Sequence, residues 1–215
     1  MHLKNLLLFG FAFFGLCFSS SLAQAHIDAY GVILIGATSM DETSGVITYN
    51  HSNTFFVGHF GFGGGARFML DMDRFSLGAI GEISWNGDSL NRKQAGTTSE
   101  ATYRYESYRL LAGASAAVKL GSLSVIGEYY PWAQNTVTYA DEKSENPFRK
   151  NDKLKATGFG IGFNYDLGGG FGYSALFRRL TYKDVGLNGT AVTLPSSQYT
   201  TLNVDDVAVG FTKSF

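Results

Sequence analysis

The stretch FFVGHFGFGGGARFML, residues 55–70, carries five glycines, and its centre, GFGGGA, is close to the glycine-rich turn that cradles a dinucleotide pyrophosphate. A phosphate turn of that kind sits between a strand and a helix. Here the glycines alternate with phenylalanines, and no helical period follows. The even positions read Phe56, Gly58, Phe60, Phe62, Gly64, Ala66, Phe68, Leu70; the odd ones read Phe55, Val57, His59, Gly61, Gly63, Gly65, Arg67, Met69. One set is aromatic and apolar, and the other is small apart from a histidine and an arginine. Successive side chains of a strand point to opposite faces, so this period of two describes a strand with one greasy face and one small face.

The same period recurs along the chain. After the short turn Asp71–Arg74, Phe75, Leu77, Ala79, Gly81, Ile83 and Trp85 alternate with Ser76, Gly78, Ile80, Glu82 and Ser84. Tyr108 to Leu120 follows the pattern with Arg109, Gly113, Ser115 and Lys119 opposite. The runs that start at Leu123, Thr157, Phe171 and Val207 repeat it, with Glu128, Arg178 and Asp206 among the small residues. The first run, near Asp28–Thr38, is apolar on both faces; Tyr30, Val32 and Leu34 are expected outward. Pro131 falls within a strand that has no free edge, which implies a bulge and a change of parity from Trp132 onward. About eight strands result, joined alternately by tight turns and by polar segments of a dozen residues or more. Runs 54–70, 103–119 and 123–139 exceed the ~9–11 residues that a tilted strand needs to cross a bilayer. Their excess is expected to stand outside the membrane.

Composition narrows the class. Charged residues make up 16% of the chain, against about 25% in ordinary soluble domains, while aromatics reach 15%. A formal net charge of −1 gives no electrostatic footprint for nucleic acid. The N-terminus has Lys4, an uncharged apolar run Leu6–Phe18 and the small-x-small sequence Ala23-Gln24-Ala25. This is the layout of a cleaved signal peptide over residues 1–25, which leaves 26–215 as one exported domain. The single cysteine, Cys17, leaves with it. No later run supplies the ~20 apolar residues of a spanning helix.

Alternation alone fits a soluble barrel with the greasy face inside as well as a membrane barrel with it outside. The small face is too poor in Lys and Glu for a solvated surface. Glycine recurs on it, as a tightly curved wall requires, and short and long connections alternate as they do between the two sides of an outer membrane. In hydrocarbon, a sheet can span only as a closed barrel that pairs all its backbone groups. The expectation is therefore an all-β, eight-stranded antiparallel up-and-down transmembrane barrel, with short periplasmic turns and long extracellular loops. Trp85, Trp132, Tyr139 and Tyr182 are expected in an aromatic girdle near the long-loop ends.

The signal ending Ala23-Gln24-Ala25, the strand FVGHFGFGGGARF and the closing VDDVAVGFTKSF resemble the small outer-membrane β-barrels of Gram-negative bacteria, the OmpA/OmpX/OmpW and opacity-protein type. The resemblance implies a place in the outer membrane among lipid and lipopolysaccharide. It also implies that Phe215, Phe211, Val209 and Val207 act as the signal read by the barrel-assembly machinery; Lys213 stands where an aromatic is more usual. No cell-wall-binding domain is expected after Phe215.

The inward set Arg67, Glu82, Arg109, Glu128, Arg178, Asp206 and His59 is the main candidate site. Buried charges require partners, so these residues are expected to pair as a network that plugs the lumen. The alternative is a narrow pore for ions or, in the manner of OmpW-like barrels, small hydrophobic solutes. His51 and Ser52 invite comparison with lipid A-modifying barrels, but as neighbours in an expected loop they point to opposite faces, which is poor geometry for a nucleophile and its base. Asn188-Gly189-Thr190 reads as a turn. No catalytic residue, cofactor or metal site is expected. The segments 39–53, 86–102, 140–152 and 184–200 are those expected to meet an extracellular ligand, in a structural or adhesive role.

Overall fold

The computed structural model describes residues 24–56, 58–98 and 100–215; the signal-peptide reading falls mostly on residues 1–23, outside them. Ten strands form one antiparallel sheet: β1 Gln24–Ser44, β2 Ile47–Ser52, β3 His59–Met72, β4 Phe75–Gln94, β5 Glu100–Leu120, β6 Leu123–Ala140, β7 Lys153–Gly168, β8 Phe171–Leu187, β9 Thr190–Thr193 and β10 Tyr199–Ser214. β1 pairs with β10 on one side and with β2 and β3 on the other, and β10 pairs in turn with β8, so the sheet closes. β2 and β3 share one position between β1 and β4, and β9 is a short return against β8. The wall is thus an eight-stave barrel. Closure matters because it leaves no long unpaired edge in hydrocarbon.

The tight turns use residues that tolerate a left-handed backbone: Asp73 (φ 56), Gly121 (φ 69), and Gly168, Gly169 and Gly170. At the opposite end Asn188 (φ 51) and Gly189 (φ 76) join β8 to β9. That is the Asn-Gly turn whose twist matches a two-residue hairpin.

Phe60, Phe62, Phe68, Phe75, Ile83, Phe163 and Phe211 are exposed on the outer face, while Arg67, Glu82, Arg109 and Arg178 are buried. The outer apolar belt starts at the tight turns. On β4 it ends at Trp85, so Phe75–Trp85 spans about the ~9–11 residues needed to cross a membrane. Beyond it, the outward residues of β4 are Gly87, Ser89, Asn91 and Lys93. The strands therefore continue well past the belt, and much of what composition suggests are loops is strand with polar outward residues. His51 and Ser52 lie in β2. Segments 141–152 and 194–198 are true loops.

The orientation of the first strand is reversed from expectation. Tyr30, Val32 and Leu34 face the lumen and are buried, whereas Ile27 and Ile33 face outward. Both faces of this strand are apolar because its inward residues fill the interior and bond within it: the Tyr30 hydroxyl donates to Glu82. The Pro131 bulge is present. Tyr130 pairs with Gly158 and Ala133 with Ala156, and the register shifts between them. Glu128 and Tyr130 are buried before the bulge, and Ala133, Asn135 and Val137 after it, so the parity changes there.

Candidate functional site

The lumen is built in layers. At the tight-turn end, a polar cavity of about 300 Å³ opens among His26, Asp71, Lys119, Asn164 and Thr212. Above it Arg67 donates from Nε to Glu128 at 2.6 Å, and its guanidinium lies 4.4 Å from the Tyr30 ring centre. The Tyr130 hydroxyl donates to the other Glu128 oxygen.

Next comes the central knot. Arg178 donates from Nε to Asp206 at 2.7 Å and from Nη1 to both Glu82 oxygens at 2.8 Å. Arg109 Nη1 donates to Asp206 at 3.1 Å, and Arg109 Nη2 stands 3.9 Å from Glu82. Across these two layers three arginines face three carboxylates, and burial is offset by pairing. The strand registers bring these groups together: Asp206 lies opposite both Gly36 and Arg178. A Cβ at Gly36 would overlap the Asp205 carbonyl oxygen and stand 2.8 Å from Asp206 Cα. Glycine there lets the two backbones approach.

His59 belongs to the next layer rather than to the arginine knot. Its Nδ1 lies 2.8 Å from Asp88, which also accepts from the Thr38 hydroxyl at 2.5 Å. Tyr182, expected in the girdle, is instead 2% exposed and donates to Asn135 Oδ1 at 2.9 Å inside the lumen. Its parity is that of Arg178 and Leu180, and the strand carries that parity past the belt. Trp85 and Trp132 do face outward at the top of the belt, where Trp85 is paired in register with Tyr108. Tyr139 faces outward too, but higher, opposite Glu106. The strand outlasts the membrane there, so nearness to a loop does not mark the girdle.

Above His59 the interior turns apolar: Met40, Leu90, Val137, Leu154 and Leu202 are almost wholly buried. Segment 141–152, expected to reach outward, sends Phe148 inward, with its ring 4.4 Å from that of Tyr105. Asn146 holds this lid by donating to the Arg104 and Asp141 carbonyls. At the rim, His51 Nε2 lies 2.8 Å from Glu42 and Nδ1 2.9 Å from the Tyr103 hydroxyl; Arg92 donates to Glu42 at 3.0 Å. Burial by itself would raise the Glu42 carboxyl, but the bonds from His51 and Arg92 lower it to about 2. His51 is thereby committed to Glu42 and Tyr103, and Ser52 is not among its partners. Tyr30, Glu42, Asp88, Arg92, Tyr103 and Tyr130 are network members that sequence reasoning missed. Asp88 is accessible by extending the parity of Glu82 and Tyr130 by extending that of Glu128, whereas Tyr30 and Glu42 lie on β1, where both faces are apolar and parity gives no guide.

Phe211, Val209 and Phe215 lie exposed at the closing end of the chain. Lys213 points its ammonium at the Phe171 ring, 4.0 Å from the centre, and bonds the Gly169 carbonyl at 2.7 Å. It ties β10 to the neighbouring turn.

No protein-family model and no curated protein matches the sequence. Among solved structures, the outer membrane protein OprG from Pseudomonas aeruginosa is similar with a TM-score of 0.55 at 11% identity, over 90% of this chain and 96% of that one. The outer membrane protein AlkL, determined in lipid bilayers, gives 0.47 at 12% identity, over 92% and 93%. The attachment invasion locus protein Ail of Yersinia pestis, in complex with the heparin analogue sucrose octasulfate, gives 0.42 at 10%, over 87% and 99%. The fold is that of a small outer-membrane β-barrel, and the exposed apolar belt sets the protein in the outer membrane.

Proposed function

We propose that this barrel is a surface protein of structural or adhesive type, which presents rigid hairpins outside the cell and conducts nothing through its lumen. The observation that carries the reading is the stack of closed layers from the Arg67–Glu128 pair to Phe148. Eight staves enclose a space just wide enough for side chains to fill, and here they fill it. What remains for function is the outside. β1 with β2, and β4 with β5, rise past the belt as paired strands over an apolar interior, which makes a stiff platform rather than loose loops.

Two experiments test this. In planar bilayers the protein should be silent, and Glu82→Gln or Arg178→Met should open no steady conductance; a stable ohmic current from the unaltered protein would replace the reading with that of a pore. Expressed in a non-adherent Gram-negative host, the protein should raise binding to extracellular matrix. That gain should disappear when the hairpin tips at 45–46 and 95–98 are shortened. Equal adherence with and without the protein would remove the adhesive role.

A further inference from the structure

At the tight-turn end, strand parity carries a polar lining down into the barrel. Along β3 the inward residues are Asp71, Met69 and Arg67, and along β5 they are Lys119, Ala117 and Ser115. With β1, β7 and β10 they enclose the cavity of about 300 Å³, which is at the lower end of the range for small-molecule sites. The Arg67–Glu128 pair and the arginine knot close its inner end. The cavity is a dead end that opens at the turns.

Its mouth is largely satisfied from within. Asp71 accepts from Ser76 at 2.6 Å and from Lys119 at 2.6 Å, and His26 lies 3.3 Å from both Asp71 and Asp28. The floor is different. Ser115 is 3% exposed, and its hydroxyl has no partner among the described residues. A buried hydroxyl without a partner is costly, and such groups are rare in folded proteins. Arg67 is 5% exposed and also lines the cavity. Its Nε is committed to Glu128, while its Nη groups make no hydrogen bond among the described residues. Asn164 accepts from Thr212 at 3.2 Å, which leaves its amide hydrogens. Unspent donors thus gather at the inner end. Unspent acceptors stand nearer the opening: Asp166 is exposed and gives only Oδ1 to the Gly168 amide, at 2.7 Å, and Asp28 gives only Oδ1 to Ser214 and His26.

We propose that this cavity binds a small zwitterion of the amino-acid type, with its carboxylate against Arg67 and Ser115 and its ammonium against the free oxygens of Asp28 and Asp166. Three aspartates line the cavity against Arg67 and Lys119. A simple anion is repelled at such a mouth, and a simple cation meets a guanidinium at the floor. A short molecule that carries both charges forms charge-assisted bonds at both ends. The site is separate from the surface role proposed above, because it opens at the opposite end of the barrel from the hairpins.

The test uses the full barrel purified from outer membranes into detergent micelles. The Ser115 amide and Arg67 Nε–H signals are followed by NMR as L-alanine is added, and both should move and saturate together. Propionate, which is alanine without the ammonium, and ethylammonium, which is alanine without the carboxylate, should each bind at least about tenfold more weakly. Ser115→Ala and, separately, Asp166→Asn should each weaken alanine binding at least about fivefold, read at Arg67. Both variants should keep the band shift on boiling, since the first removes a group without a partner and the second leaves an oxygen for the Gly168 amide. No saturable shift with alanine overturns the site. Equal binding of propionate makes it an anion site and equal binding of ethylammonium a cation site, and either overturns the zwitterion. Unchanged alanine binding in both variants overturns the placement. Should a variant fail to close, the comparison of the three ligands in the unaltered protein decides. Conductance and adherence do not enter this readout, so failure of the surface role leaves it intact.

Discussion

Arg178 and Arg179 are neighbours on β8, and each faces an aspartate neighbour on β10, Asp206 and Asp205. Arg178 is 1% exposed, and its three bonds reach Asp206 and Glu82; Arg179 is 50% exposed and holds Asp205 with two bonds of 2.6 Å. By hydrogen-bond geometry alone the two look alike. Their surroundings separate them. Arg178→Met would leave Asp206 with Arg109 at 3.1 Å, and Glu82 with the Tyr30 hydroxyl and a long approach from Arg109. Two carboxylates would remain in the lumen with one arginine between them. Breaking a buried pair from one side costs about 3–5 kcal/mol. Arg179→Met removes an exposed pair, worth about 0–1 kcal/mol. We expect the two variants to differ by at least about 2 kcal/mol in urea unfolding from lipid vesicles followed by tryptophan fluorescence. Adding Glu82→Gln to Arg178→Met should recover part of the loss, since one stranded charge is then gone. Equal effects of the two arginine variants, or a cost below about 1 kcal/mol for Arg178→Met, would refute the claim that the lumen charges form a desolvated knot.

Three further outcomes are expected. Gly36→Ala should cost about 1–3 kcal/mol in the same assay, because the new methyl meets the β10 backbone, whereas Gly127→Ala, with open space beside it, should be close to neutral. Deleting Pro131 should invert the faces of Trp132 to Val137, and the product should lose the band shift that separates boiled from unboiled barrel on a gel. Because the folded Glu42 carboxyl is depressed to about 2 from an ordinary value near 4.5, its contribution is complete above about 4.5 and is lost as the pH falls towards 2. The protection of the β1–β2 hairpin amides, taken as exchange relative to the intrinsic rate at each pH, should therefore hold above about pH 4.5 and fall as the pH drops from there towards 2 in the unaltered protein, with a flatter profile in Glu42→Gln.

Much of the barrel is legible in the sequence, because a lipid-facing surface must be apolar at every second residue and a narrow lumen must be small or paired. That contrast settles β3, where phenylalanines face glycines, and β4, where Trp85 and Glu82 fall on opposite parities. It fails in β1, where the lumen itself is apolar and Tyr30, Val32 and Leu34 look like lipid-facing residues. It fails again above the membrane. Water accepts polar residues on the outside of a strand as readily as in a loop, so 86–94 reads as loop although β4 runs to Gln94. Tyr182 was misplaced for the same reason, and Phe148 shows that a polar segment can still supply the plug. The knot itself was legible as a set of residues, since inward charges must pair. Which arginine meets which carboxylate depends on register, and register is set by bulges such as the one at Pro131.

The central claim is the orientation of the wall, and magnetisation transfer between lipid and protein in a solid-state NMR sample tests it most directly. Rings of Phe60, Phe62, Phe163 and Phe211 should receive transfer from acyl methylenes, while the guanidinium of Arg178 receives none and its protons exchange slowly with water. Strong transfer among the phenylalanines themselves, with Arg178 in rapid exchange, would contradict it.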